Sequence, residues 1–315
     1  MNAAVRQRLF PLPPPPHHLS LGTSDLLDTV LANARFASVD VTARCPSRCG
    51  HCYFFRNPPQ GSDLPDSEFL DRLRAWKART RVDCMLWLGG EPFLRTPVLR
   101  EGARLFRRNA AFTGGQVPVP TDLPIGVMVS LDGPERHHDR LRGEGAFQRA
   151  LESIGGVRDS LFHVTLTAPT HDSAPELAEF LHEGGAAGVV FGTYSPRVGE
   201  TGPWTLGSEE RSRALQMVQE MRRDYGSFVL NTTMMIDLMR SPWRSTLAAE
   251  CPYRTGDAVA LDHRLRVKLP CSYGAGADCS RCGCIALYLR AAAFRGDREA
   301  ARTLGSFFQV AKNGA

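Results

Sequence analysis

The chain predicts an α/β fold on three observations. Over residues 36–231, six short apolar or β-branched stretches alternate with amphipathic helical ones, the signature of parallel βαβ crossovers. Polar groups of unusual composition fall at or just after the ends of three of those stretches, where ligands bind in parallel α/β folds. From about Thr232 the alternation stops, and five of the nine cysteines follow. Six units fall short of the eight that close a full barrel. The expectation is therefore a partial (β/α)6 TIM-like barrel, with an open doubly wound sheet as the other arrangement, and a small C-terminal cysteine-rich subdomain over 232–315.

The elements follow in order. Residues 1–35 read as an extended proline-rich arm, interrupted by Pro13–Pro16, with Ser24–Leu31 a short helical candidate. They hold no apolar h-region, so no signal peptide is expected. Phe36–Ala43 is the first strand and runs directly into Cys45. Pro65 starts a helix whose Phe69, Leu70, Leu73 and Trp76 share a face. Asp83–Leu88 is the second strand, with Cys84 as a small core residue. A helix is expected over Pro97–Asn109, a third strand over Val117–Pro120 and a fourth over Ile125–Leu131. A helix over Ala146–Val157, with Phe147, Ala150, Leu151 and Ile154 on one face, leads to the fifth strand, Leu161–Thr167. Helical Ala174–Glu183 precedes the sixth, Gly188–Thr193. Ser208–Tyr225 forms a long helix with Leu215, Val218 and Met221 on one face. The tail reads as a helix over Thr232–Arg240, a hairpin-like stretch over Val259–Leu269, and helices from Ile285 and over Arg298–Lys312. A tail this poor in large apolar side chains calls for a metal staple.

Composition excludes several classes. The 315 residues are 43% hydrophobic and 23% charged, as in an ordinary soluble protein. The net charge of +5 is spread along the chain, so no nucleic-acid partner is indicated. No stretch approaches the ~20 apolar residues of a membrane span. A reducing cytoplasm is the expected compartment, where clustered cysteines bind metal more often than they form disulfides.

Cys45, Cys49 and Cys52 lie within eight residues. Four thiolates ordinarily hold a four-iron cluster, so three leave one iron open to a ligand. Zinc completed by a distant residue, or cysteines without a metal, are the alternatives. The spacing C-x3-C-x2-C, with His51 at the aromatic position and Tyr53 following, resembles the radical SAM (S-adenosylmethionine) superfamily. Gly89-Gly90-Glu91-Pro92 is similar to that family's motif for the methionine amino group, and Ser130-Leu-Asp132-Gly133 to its ribose-contacting position. The string through His138, Asp139, Arg142, Gly143, Gly145 and Phe147 resembles the branch with C-terminal SPASM or twitch extensions.

The resemblance implies a [4Fe-4S] cluster on Cys45, Cys49 and Cys52, and S-adenosylmethionine held by Gly89, Gly90, Glu91, Ser130, Asp132, Tyr53 and Arg142. It also implies an electron donor such as flavodoxin or ferredoxin, and hydrogen-atom abstraction by a 5′-deoxyadenosyl radical. The glycines are expected to let the backbone approach the cofactor, and Glu91 to accept from its amino group. Ordinary roles stand beside these: a helix cap for Glu91, turn residues for Ser130 and Asp132, and pairing of Arg142 with Asp139. Thr165, Thr167 and Tyr194 are further candidates for the pocket.

In the tail, Cys271, Cys279, Cys282 and Cys284 are the expected ligands of an auxiliary [4Fe-4S] cluster, with Cys251 as substitute and zinc as the alternative metal. Standing apart in sequence, Cys251 is the candidate hydrogen-atom donor. The expected substrate is a small polar natural product of sugar, aminoglycoside or nucleoside type, as in antibiotic biosynthesis. Epimerisation, dehydrogenation and decarboxylation are the candidate outcomes. A peptide maturase with a separate leader-binding partner is the alternative, and a non-catalytic iron–sulfur scaffold a third reading.

Overall fold

The computed structural model describes residues 35–310 apart from Val157 and Ser241. The expected N-terminal arm up to residue 34, the Ser24–Leu31 helix and the end of the last helix beyond 310 lie outside the described residues.

Six strands run in sequence order across one sheet: β1 (Arg35–Asp40), β2 (Val82–Leu88), β3 (Arg108–Thr113), β4 (Gly126–Ser130), β5 (Leu161–Leu166) and β6 (Gly188–Thr193). Every neighbouring pair is parallel, and helices cross over between most of them. This is the expected α/β partial barrel, open rather than closed. Its carboxyl ends all lie at one rim, which brings residues 41–52, 89–91, 130–132 and 194–195 together.

The third strand departs from expectation. It occupies Arg108–Thr113, not Val117–Pro120, and the preceding helix ends at Ala103. Two prolines in Val117-Pro-Val-Pro120 remove the donors that a ladder needs. Asn109 instead becomes a core residue: its carbonyl accepts from Trp87 Nε1 at 3.1 Å and its amide donates to the Ala103 and Phe106 carbonyls. A buried polar side chain thus finds all its partners in β2, at the end of the preceding helix and in the turn that follows it.

The tail is continuous with the sheet. β7 (Ala258–Leu261) pairs parallel with β1, and β8 (Val267–Lys268) pairs antiparallel with β7. β9 (Gln309–Val310) pairs antiparallel with the start of β3. The Ile285–Phe294 and Arg298–Ser306 helices bury Leu287, Tyr288, Leu289, Ala292 and Leu304 in the same apolar cluster as β4, β5 and β6. A second cluster, around Trp87, Phe69 and Leu99, fills the side of β1–β3. The expected division at 231/232 therefore marks the end of the strand–helix alternation and not a break in the sheet or core. No helix among the described residues is long and apolar enough to cross a membrane.

Candidate active site

The parallel ladder between β1 and β2 does not stop where the strands end. Val41 N–H donates to Leu88 O at 2.8 Å, Gly90 N–H to Thr42 O at 2.9 Å, and Glu91 N–H to Arg44 O at 2.8 Å. The two chains run side by side into the loop that carries Cys45, and only glycine permits it. Gly89 has a φ of 124°, where an L side chain is strained. A Cβ on Gly90 would overlap the Arg44 carbonyl. The expected close approach of these glycines is thus to the cysteine loop's own backbone. The loop is braced from outside by Asp63, which accepts from Ala43 N–H and from the Thr42 hydroxyl. Buried Arg95 ties Val41 O and Leu64 O to Asp66.

Beyond Gly90, Glu91 is buried at the head of a short 3-10 turn, Pro92–Arg95. Its carboxylate accepts from Phe93 N–H, from the Thr113 hydroxyl at 2.8 Å and from Gly114 N–H at 3.1 Å. The cap and the cavity-lining position are the same residue. Burial raises its pKa, and these donors oppose the rise. Thr113 was not among the expected site residues; it came with the correct placing of β3.

Across the rim, Asp132 is fully buried and engaged. Its carboxylate accepts from Arg142 Nε at 2.6 Å and from Thr165 N–H at 2.9 Å, and lies 3.1 Å from His51 Nε2. Burial by itself would raise this carboxyl, but Arg142 and His51 hold it well below the usual carboxylate range. Arg142 therefore pairs with Asp132, not with Asp139. Asp139 accepts from Gly145 N–H and Phe147 N–H, and His138 Nδ1 accepts from Asp132 N–H at 3.1 Å. The string from Ser130 to Phe147 is thus a bracket around one carboxylate. Through His51 that bracket reaches between Cys49 and Cys52. Trp204 seals the same loop, standing where a side chain on Gly50 would have to go.

One cavity of about 240 Å³ joins these parts. Cys45, Cys49, Cys52, Tyr53, Gly89, Gly90, Glu91, Ser130 and Arg142 all line it. Asp132 does not; it acts behind Arg142. Of the later strand-end candidates, Thr165 and Tyr194 line the cavity. Thr167 is buried against Thr170 at 2.8 Å. His163, on β5, lines the cavity and was not expected; the period of two along β5 that puts Phe162, Val164 and Leu166 in the core puts His163 and Thr165 on the other face.

The three thiols suit a cluster. None is in a disulfide, and all face the cavity. Burial pushes Cys45 up to about 11, with Glu91, Cys49 and Cys52 adding to the rise against a Ser47 N–H. Burial also raises Cys49, opposed by Arg142. Such thiols are ionised by the metal they bind. Among the described residues, no three His, Cys, Asp or Glu side chains converge as around a single ion.

In the tail, Cys251 is not isolated. Its thiol lies within electrostatic reach of Cys284 and Cys279, and Cys271 within reach of Cys284, Cys251 and Cys279. Cys282 adjoins Cys284, Cys271 and Cys251 in the same sense. The separation of Cys251 is one of sequence alone, because β7 and β8 fold it back. Cys284 is the member of this group that lines the cavity. Gly283 explains how: a Cβ there would overlap the Thr193 carbonyl, so the tail lies flush on the end of β6. Tyr53 and Tyr273 meet edge to face, 5.0 Å between centroids, on the path from Cys52 to Cys284.

The family model of the Radical SAM superfamily matches residues 39–184, the span that holds the three cysteines, Glu91, Ser130, Asp132 and Arg142. No curated protein matches the sequence. Three solved structures illustrate the likeness in fold. Native anSMEcpe with bound AdoMet is 14% identical, with a TM-score of 0.57 over 76% of this chain and 75% of that one. Streptococcus suis SuiB bound to S-adenosylmethionine is 16% identical, with a TM-score of 0.57 over 76% of this chain and 60% of SuiB. Native anSMEcpe with bound AdoMet and the Kp18Cys peptide is 13% identical, with a TM-score of 0.60 over 80% of each chain.

Proposed function

We propose that the chain is a radical SAM enzyme, as the family-model match over residues 39–184 supports, and that it acts on a small natural-product molecule seated in the cavity below the cysteine loop. The observation that carries this reading is the cavity's two ends. At one end stand the three thiols, Glu91, Ser130 and Arg142; at the other, Leu304, Phe307 and Phe308 from the tail line it. A wall built from the chain's own C-terminal segment leaves a chamber suited to a small molecule. Cys45, Cys49 and Cys52 would hold a four-iron cluster, which together with S-adenosylmethionine would supply one-electron chemistry for taking a hydrogen atom from substrate.

The protein's own residues do the positioning. Cys45, Cys49 and Cys52 hold the cluster, and the Gly90–Thr42 and Glu91–Arg44 bonds keep their loop in register with β2. Glu91 keeps acceptor capacity on the cavity side for the cofactor's amino group. Asp132 fixes the Arg142 guanidinium beside Cys49, where a cofactor carboxylate can meet it. Cys271, Cys279, Cys282 and Cys284, with Cys251 beside them, hold an auxiliary cluster in this reading, with zinc as the alternative. Cys251, where it is not a substitute ligand, is the candidate hydrogen-atom donor. Sugar, aminoglycoside and nucleoside compounds are the candidate substrates, and epimerisation, dehydrogenation or decarboxylation the candidate outcomes.

The second reading is a peptide maturase. It draws on the peptide that accompanies anSMEcpe in one similar structure. Anaerobically reconstituted protein, given reductant and S-adenosylmethionine, is expected to form 5′-deoxyadenosine and to hold about eight irons per chain if the tail carries a four-iron cluster, about four if it carries zinc. No 5′-deoxyadenosine from fully reconstituted protein, or the same yield from Cys49→Ala, rules out the enzymatic proposal.

A further inference from the structure

Away from the cysteine loop, the cavity changes character. Phe36, at the start of β1, meets Phe308 edge to face with centroids 5.8 Å apart. Phe112 on β3 stands edge to face to His163 on β5 at 5.4 Å. Ile285 and Phe307 complete this part of the wall. Such faces offer van der Waals contact and no hydrogen bonds, so a hydroxyl placed against them loses its water partners without replacement. His163 is the exception among them. Its ring is half-buried and opens onto the cavity, and among the described residues no side-chain hydrogen bond engages either nitrogen, which leaves both free for a ligand. Gly192 on β6 leaves the ring room: a Cβ there would come within 3.2 Å of His163 Nε2. Burial lowers the imidazole pKa to about 4, with Asp132 opposing and Arg142 and His51 reinforcing the drop. The ring is therefore neutral at pH 7 and presents one N–H donor and one acceptor.

We propose that this half of the cavity is the substrate's seat, and that it takes an aromatic or branched aliphatic group bearing a hydrogen-bonding function, which His163 holds. The proposal rests on the small-molecule reading above and narrows it. A nucleobase or an aromatic aglycone satisfies both the walls and the imidazole. A bare sugar or an aminoglycoside satisfies the imidazole alone.

Binding of probes tests this apart from turnover. Reconstituted protein is saturated with S-adenosylmethionine, so that the cofactor's adenine fills its own place, and 4-ethylphenol, ethylbenzene and methyl glucoside are titrated by ligand-observed NMR. The expected result is that 4-ethylphenol binds about fivefold more tightly than ethylbenzene, one hydrogen bond's worth, and that methyl glucoside does not displace it. His163→Phe, which keeps a ring, removes the difference and leaves ethylbenzene unchanged; His163→Leu, which likewise cannot hydrogen-bond, serves as the second variant. Ala286→Phe, which fills the seat from its wall, excludes both aromatic probes. Equal affinities in the wild type, a difference that survives both His163 variants, undiminished binding to Ala286→Phe, or displacement by methyl glucoside overturns the proposal. Displacement of 4-ethylphenol by a capped heptapeptide centred on tyrosine assigns the seat to a peptide side chain and overturns the small-molecule part. Loss of 5′-deoxyadenosine formation in the same preparation counts against the enzymatic reading and leaves the seat standing, so the two failures are distinguishable.

Discussion

Asp132→Asn removes one charge from the most heavily bonded carboxylate of the rim. Its side chain has no exposure, and that of its partner Arg142 is 12% exposed. Breaking a buried pair by removing one member costs about 3–5 kcal/mol, because the other charge stays behind unpaired. Asparagine still accepts from Thr165 N–H, so the lower end, about 3 kcal/mol, is expected. At roughly 2–4 °C per kcal/mol for a chain of this order, the thermal midpoint at pH 7 falls by about 6–12 °C. The pH dependence gives a second check with a definite sign. The folded carboxyl titrates well below its usual value, held there by Arg142 and His51 against burial. Its stabilisation is therefore complete above the unfolded value of about 3.9 and is lost as pH falls through the folded value. The gap between wild type and Asp132→Asn narrows below about pH 4. Circular dichroism melts of both proteins across pH 3–7 measure it. A variant within about 2 °C of wild type at pH 7, or a gap that widens in acid, would refute the view that Asp132 is the keystone of Arg142.

Two further substitutions probe the loop and the cofactor side. Gly90→Ala forces a Cβ into the Arg44 carbonyl, so the cysteine loop must separate from β2. Iron incorporation after reconstitution should fall by at least half, and unchanged iron content would show that the loop tolerates the shift. Glu91→Gln keeps the shape and loses an acceptor for Gly114 N–H and the Thr113 hydroxyl. Affinity for S-adenosylmethionine, measured by equilibrium dialysis, should drop about tenfold or more, as loss of a charge-assisted hydrogen bond implies, with the far-ultraviolet spectrum unchanged.

Much of the fold and rim was legible because period and punctuation agree there: β1, β2, β4, β5 and β6 all fall within a few residues of their expected places. β3 was hidden by its composition. Arg107-Arg108-Asn109 reads as the polar end of a helix, and only the Trp87–Asn109 bond shows why a buried strand begins with it. The partner of Arg142 was hidden for another reason. Asp132 and Asp139 are both close in sequence, and the choice depends on a turn that sends Asp139 to Gly145 and Phe147. His163 left a signal in the alternation of β5, but a strand pattern does not tell which face is the chamber. The grouping of Cys251 with the later cysteines depends on strand pairing at long range, which no spacing encodes.

That pairing gives the last prediction. A chain ending at residue 231 contains every residue of the (β/α)6 unit, which the sequence sets apart from the tail. The structure argues otherwise. Without β7, strand β1 becomes an edge, with the backbone donors and acceptors of Phe36 to Val39 that face β7 unpaired, a template for association with other chains. Without the Ile285–Phe294 and Arg298–Ser306 helices, β4–β6 lose the cover of Leu287, Tyr288, Leu289, Ala292 and Leu304. Phe36 and Phe112 lose the wall that closes their side of the chamber. An exposed edge next to an uncovered apolar face is a combination that soluble proteins avoid. Residues 1–231 expressed alone are expected to aggregate or to sediment as high oligomers in analytical ultracentrifugation. A monomeric, cooperatively melting 1–231 chain would show that the tail is an appendage after all, and would move the wall of the chamber to some other part of the protein.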